Sequence, residues 1–244
     1  MPTLDTLPLN VQQIVSVNVN KRDRLNLLYV NRSMYSIWQP EVHSNNVFSF
    51  IRTCKLSPTY KQYIKRVFYD MCDQTPEAGI LPNSILFLTF GYGYNKQINV
   101  GVLPSGLKSL TFGDKYNQII SVGVLPNGLK SLTFGDMYNQ KIDAGVLSIG
   151  LQFLQFGWNY NQKIEVGVLP IGLQSLQFGW KYNQKIEVGV LPTGLQFLNF
   201  SYEYNQKIEA GILPIGLQSI TFNKNYPYIT DIRSIFSGKV LLHD

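Results

Sequence analysis

The sequence predicts a parallel β-solenoid of 22-residue repeats, preceded by a small α-helical N-terminal domain. Three observations lead to this prediction. Glycine recurs every 22 residues along more than half of the chain. Each repeat contains a short run of alternating apolar residues, which is typical of a strand. The first 40 residues instead carry apolar residues at helical spacing. A fixed period of this length indicates a stack of coils, each of which contacts its neighbours.

Each repeat follows the pattern G-V-L-P-x-G-L-x-x-L-x-F-G-x-x-Y-N-Q-x-I-x-x. Six copies are complete between residues 79 and 210, and a partial seventh departs from the pattern after Phe222. In the repeat that begins at Gly101, Leu110 and Phe112 predict a strand with inward side chains, and a turn precedes it. Later in the same repeat, Tyr116, Ile120 and Val122 are expected to point back into the core. The glycines that open the repeats are Gly79, Gly101, Gly123, Gly145, Gly167, Gly189 and Gly211.

Two polar columns of the repeat favour a structural interpretation over a ligand site. An asparagine recurs in the turn after each strand, where a side-chain amide can satisfy the backbone of its own coil and the next. A lysine column stands two residues before an acidic column, which predicts a solvated, self-neutralising surface rather than a phosphate-binding one. The asparagine ladder comprises Asn95, Asn117, Asn139, Asn161, Asn183 and Asn205.

Other columns vary between copies while the framework stays constant, as expected of a binding face on a scaffold. They become aromatic and rich in amides between residues 153 and 202, and protein interfaces favour such residues. The alternative is that Trp158 and Trp180 only stack on each other and shield the edge of the core. The candidate target-binding residues are Phe153, Gln155, Trp158, Gln177, Trp180, Phe197, Asn199 and Tyr202.

The chain outside the repeats divides into three segments. Residues 1–40 predict three short helices, the last of which ends at Pro40. Residues 41–78 are a linker with an N-terminal cap or a degenerate first repeat. Here Ile64, Val67 and Tyr69 fit a strand slightly better than the helix that their surroundings also permit. Residues 223–244 are expected to cap the C-terminal end of the core.

Composition bounds the classes of function. The net charge of +6 is spread along the chain, which is weak support for a nucleic-acid partner. We expect no membrane span and no signal peptide. Cys54, Cys72 and His43 do not have the spacing of a zinc site, and we expect no metal or cofactor. The histidines are His43 and His243, so a catalytic triad within the repeats is excluded and no enzyme is predicted.

The repeats resemble two families. L-x-x-L-x-F followed by an asparagine turn resembles the leucine-rich repeat, so the predicted solenoid is leucine-rich-repeat-like. The match is closer to the FNIP repeat, whose core reads Phe/Tyr-Asn-Gln-x-Ile with L-P-x-G/S-L after it. Ser148 replaces the turn proline in one copy, and Tyr226-Pro227 replaces Tyr-Asn in the last.

The N-terminal segment resembles the F-box. This resemblance implies docking on a Skp-type adaptor and, through it, a cullin, while the repeats select an unknown target protein. The departure at Asn10, where that family usually has glutamate, bears on affinity. The adaptor-binding residues implied are Leu7, Pro8, Ile14, Val15, Leu25, Leu28, Val30 and Arg32.

Proteins that join an F-box to FNIP repeats occur in amoebae and in the large DNA viruses that infect them. The function implied by the two resemblances is a non-enzymatic substrate-recruiting subunit of a Skp/cullin/F-box ubiquitin ligase. We expect a monomer within a hetero-complex, in the cytoplasm, or in the host cytoplasm if the protein is viral. The alternative is a structural or recognition solenoid whose N-terminal helices only cap the repeats.

Overall fold

The computed structural model describes residues 64–71 and 73–243, together with the backbone of 48 and 49. All of these residues belong to the second of two units into which the chain divides, Val47–Asp244. The F-box-like residues from Leu7 to Arg32, and Cys54, Cys72 and His43, lie outside the described residues.

The described residues form one ten-stranded parallel sheet in which every strand pairs with the next in the chain. Such an order requires that each coil return to the same edge before it adds a strand. The described strands and helix are β1 Phe48–Ser49, β2 Arg66–Tyr69, β3 Phe87–Phe90, β4 Ser109–Thr111, β5 Ser131–Thr133, β6 Phe153–Gln155, β7 Ser175–Gln177, β8 Phe197–Asn199, β9 Ser219–Asn223, α1 Ile229–Ile235 and β10 Lys239–His243.

The core consists of repeated side chains stacked in columns. From β4 to β8 each strand residue pairs with the residue at the same repeat position in the next coil. Leu110 therefore lies beside Leu132, and Leu132 lies beside Leu154. Phe112 and Phe134 stack with ring centroids 5.6 Å apart, and the buried Tyr116 and Tyr138 stack at 6.1 Å. A single coil leaves both faces of these rings open, and its neighbours cover them. The predicted solenoid is therefore confirmed for the repeats.

Val122 was expected inside, and this prediction is wrong. The side chain is 61% exposed because it occupies a corner of a tight turn closed by a hydrogen bond from the Val124 N–H to the Ser121 carbonyl. Gly123 follows it with φ of 84°, a conformation that glycine adopts without steric cost.

The glycine that follows each of the strands β3 to β7 has a different role, which is close packing between coils. A Cβ on Gly135, Gly157 or Gly179 would overlap the carbonyl oxygen of the equivalent glycine one coil earlier. At these three positions the absence of a side chain lets successive coils approach this closely, whereas the coil that begins at Gly189 has Ser201 at the same repeat position.

Both ends of the array extend beyond the regular repeats. Val67 and Tyr69 are buried in β2, so this segment is a strand, and β1 pairs with it. At the other end, α1 replaces part of a coil, and β10 pairs with β9 along all five of its residues. Residues 223–243 therefore add a strand to the sheet as well as covering the core.

Candidate functional site

One surface of the sheet is available for contact, and we call it the exposed sheet face. From β4 to β7 the middle residue of each strand is buried and its two neighbours are half-buried; β8 differs only in that Phe197 is exposed. Alternation along a strand places these two neighbours together on the surface opposite the core. The structure places Phe153 and Phe197 at the first of these positions, and Gln155, Gln177 and Asn199 at the second.

Three aromatic residues just beyond the strands form a stack. The ring centroids of Trp158 and Trp180 are 4.5 Å apart with an interplanar angle of 1°, and those of Trp180 and Tyr202 are 4.2 Å apart. The rings cover one another's faces, while Trp158 and Tyr202 stay 45% and 44% exposed. The stack is thus a continuous aromatic surface that remains partly exposed to solvent.

The side-chain amides of the exposed sheet face have no hydrogen-bond partner among the residues that the structure describes. A column of glutamines that precedes the strands adds to those already named. Its members were missed by the sequence reasoning, although the change from Lys108 and Lys130 to glutamine at the same repeat position signalled it. The column comprises Gln152, Gln174, Gln196 and Gln218. Unpaired, accessible amides can donate to and accept from a partner's main chain.

The amides of the asparagine ladder are, by contrast, bonded from coil to coil. The side-chain oxygen of Asn139 accepts hydrogen bonds from the Asn161 N–H at 2.9 Å and from Nε2 of Gln162 at 3.1 Å. The same pair of bonds recurs from Asn95 to Asn183. These amides hold adjacent coils together and are not free for a ligand.

The ladder ends at Pro227, which stands where the repeat has asparagine and has no N–H to donate. The side-chain oxygen of Asn205 instead accepts from Nε2 of Gln206 at 3.0 Å. A shallow cavity of about 360 Å³ lies at this end, lined in part by Tyr202, Asn223 and Pro227.

The lysine and acidic columns pair within each coil. Lys141 lies 3.3 Å from Asp143 and Lys163 lies 3.3 Å from Glu165, with side chains at least half exposed. Lys185–Glu187 and Lys207–Glu209 repeat the arrangement. This surface is therefore neutral along its length and offers no unbalanced charge to a phosphate.

The buried tyrosine column has no groups that titrate near neutral pH. Burial raises the pKa of Tyr116, Tyr138 and Tyr160 well above the ordinary phenol value. In the part of the chain that the structure describes, no group of His, Cys, Asp and Glu could hold a metal ion. The same part contains no helix long and apolar enough to cross a membrane.

Comparison with known proteins places these coils in a family. The model of the FNIP Repeat matches residues 94–137, 138–181, 160–203, 182–225 and 204–235, which together span more than half of the chain. Among curated proteins, none matches this chain.

One similar solved structure is CroV588, described as a novel circular LRR protein structure. It is 40% identical, with a TM-score of 0.68, and the match covers 74% of this chain and 26% of that one. This chain thus spans about a quarter of the length of that protein. A solenoid of this kind is suited to protein–protein interaction and is typically a non-enzymatic scaffold.

Proposed function

The chain belongs to the FNIP repeat family, and we propose that it recruits a target protein to a Skp/cullin/F-box type ubiquitin ligase. The exposed sheet face between residues 152 and 202 binds the target. The N-terminal segment with Leu7, Ile14 and Leu25 docks on the Skp-type adaptor and through it on a cullin. The complex works in the cytoplasm, and in the host cytoplasm if the protein is viral.

The observation that carries target binding is the coordinated change of the exposed columns. In the coils that begin at Gly145, Gly167 and Gly189, the residues at and just beyond the strand ends are aromatic or amide with the exception of Ser175, while the buried leucine, phenylalanine and tyrosine columns stay the same. Stacking of the coils does not require this change, because the coils that begin at Gly101 and Gly123 carry serine, threonine and aspartate at these positions and pair in the same register. Aromatic residues surrounded by amides are the residues that interfaces enrich.

Paired substitutions in one column test the target-binding surface. The double variant Trp158→Ala/Trp180→Ala removes two of the three stacked aromatic rings. The control double variant, Asp114→Ala/Asp136→Ala, changes the same repeat position two coils earlier. Proteins that co-purify with the full chain from a eukaryotic lysate would be quantified by mass spectrometry. We expect a partner that is lost from the tryptophan variant and retained by the aspartate variant, with circular dichroism unchanged in both. Equal recovery by all three proteins would contradict the proposed surface.

The adaptor role is tested with a purified Skp-type protein. The full chain should co-elute with it in gel filtration, and Ile14→Asp with Leu25→Asp should abolish the complex. Deletion of residues 1–40 separates this role from its alternative. If the full chain does not bind the adaptor and the deletion lowers the melting temperature of the solenoid, the N-terminal helices only cap the repeats.

A further inference from the structure

Three side chains at the first exposed position of β6, β7 and β8 alternate between large and small. They are Phe153, Ser175 and Phe197, which the register aligns in one column. Phe197 is 46% exposed and the other two are half-buried. Since neighbouring strands lie about 4.8 Å apart, the two phenylalanines stand about 9.6 Å apart with only serine between them. We call this space the Phe–Ser–Phe gap.

The neighbouring aromatic stack gives the ring spacing in the same three coils for a column in which all three residues are aromatic. Trp158, Trp180 and Tyr202 occupy one column, with successive centroids 4.5 and 4.2 Å apart. A ring at the level of Ser175 would lie at a similar stacking distance from Phe153 and from Phe197. The gap therefore has the width of one aromatic layer.

The charges around the gap select the kind of side chain that it accepts. Its flanking columns are uncharged: Gln152, Gln174 and Gln196 on one side, and Gln155, Gln177 and Asn199 on the other. A charged side chain would lose hydration here without a counter-ion, which is costly, whereas an uncharged ring loses nothing of this kind. The amides, which have no partner within the described residues, can bond the main chain on both sides of the ring.

Resting on the proposed function of this face, we infer that the gap anchors an aromatic side chain of a polypeptide target. The ring of a phenylalanine, tyrosine or tryptophan stacks between Phe153 and Phe197 above Ser175. The amides beside it hydrogen-bond the adjoining main chain of the target in an extended conformation. A single buried aromatic anchor surrounded by polar contacts is the usual form of an interface hot spot.

A substitution that fills the gap from within tests this inference. Ser175→Phe supplies the missing ring, and Ser109→Phe is the matched control, in the same column but not bordering the gap. The full chain would be used to select binders from a phage library of random peptides, and their Kd measured by fluorescence anisotropy. We expect the selected peptides to share an aromatic residue whose change to alanine weakens binding about tenfold or more. Ser175→Phe should weaken binding equally, and Ser109→Phe should not.

The melting temperature gives a readout that needs no ligand. Ser175→Phe gains two ring neighbours and Ser109→Phe gains one, Phe87, so the first should raise the melting temperature more. A smaller rise for Ser175→Phe would overturn the proposed gap geometry.

The outcomes also separate this inference from the proposed function. Peptides that lack a shared aromatic residue, or that bind Ser175→Phe as well as the natural chain, overturn the anchor site. If such peptides still lose affinity for the Trp158→Ala/Trp180→Ala variant, target binding by the face stands without the anchor. Peptides insensitive to every one of these changes overturn both.

Discussion

The coils of residues 101–144 and those of residues 145–210, which we call the N-terminal coils and the C-terminal coils, share one frame and differ on the exposed sheet face. Their buried leucine, phenylalanine and tyrosine columns continue from one set to the other. On the face, the N-terminal coils carry Lys108, Lys130, Asp114 and Asp136, where the C-terminal coils carry glutamines and stacked aromatic rings.

The difference shows which positions stacking determines. A frame residue contacts its copies above and below, so a change in one coil leaves a mismatch in two others. Residues of an exposed column also contact their neighbours in the column, as Trp158, Trp180 and Tyr202 do, but they are not enclosed by the core, so they can change together without loss of the fold. Under the proposed function the C-terminal coils bind the target, and the N-terminal coils serve as the internal control for their stability.

The largest expected effect is the loss of stability at alkaline pH, and its measurement tests whether the two sets of coils unfold as one unit. Burial raises the pKa of seven tyrosines along the column, Tyr94, Tyr116, Tyr138, Tyr160, Tyr182, Tyr204 and Tyr226. Below pH 10 the phenols are neutral in both states and their contribution to stability is complete. Above pH 10 only the unfolded chain ionises, so stability is lost. Each phenol costs about 1.4 kcal/mol per pH unit, so seven cost on the order of 10 kcal/mol per pH unit.

We therefore expect one cooperative alkaline transition shortly above pH 10. Tyrosinate absorbance reports on all coils, and in a Trp38→Phe background fluorescence reports on Trp158 and Trp180 in the C-terminal coils. Tyr138→Phe, which removes one titrating group, should move the midpoint upward. Two separate transitions would show that the coils do not share one cooperative frame.

A smaller effect on the free energy of unfolding is expected when the glycines that follow the strands are replaced by alanine. Gly135→Ala in the N-terminal coils and Gly179→Ala in the C-terminal coils should each lower the free energy of unfolding by about 2–3 kcal/mol, because the new Cβ overlaps the preceding coil. Gly172→Ala is the control, since its Cβ would meet other atoms at 3.7 Å or more. Urea unfolding should place the control within about 0.5 kcal/mol of the natural chain. A large difference between the losses of free energy of unfolding for Gly135→Ala and Gly179→Ala would mean that the two sets of coils do not share one frame.

The smallest effect on the free energy of unfolding is expected from alanine substitution of side-chain amides. Amides that bond adjacent coils are compared here with amides of the exposed sheet face that have no partner among the described residues. Asn139→Ala and Asn183→Ala each remove a hydrogen bond to a backbone N–H of the next coil that is part-buried or exposed, and each should cost about 0.5–1.5 kcal/mol by the same urea assay. Gln155→Ala, on the exposed face, should change the free energy of unfolding by less than about 0.5 kcal/mol. A comparable loss of free energy of unfolding for Gln155→Ala would show that this amide stabilises the stacking of the coils.

The candidate site was predictable in part. The columns of Trp158 and Gln155 stand out in the sequence because they vary on an otherwise constant repeat. The stacking of Trp158 on Trp180, the absence of partners for the face amides within the described residues, and the gap above Ser175 are relations between coils. A strand pattern orders residues along one coil only, so these relations needed the register between strands.

The amino-acid sequence by itself determined the period, the buried face of each strand and the asparagine ladder. Each of these is a local pattern repeated many times, so small preferences add up along the array. Only the tertiary structure decided that Val122 is exposed and that the sheet extends from Phe48–Ser49 in β1 to Lys239–His243 in β10. The ends of a solenoid lack repeat neighbours, so their conformation is set by pairing with distant residues rather than by local sequence.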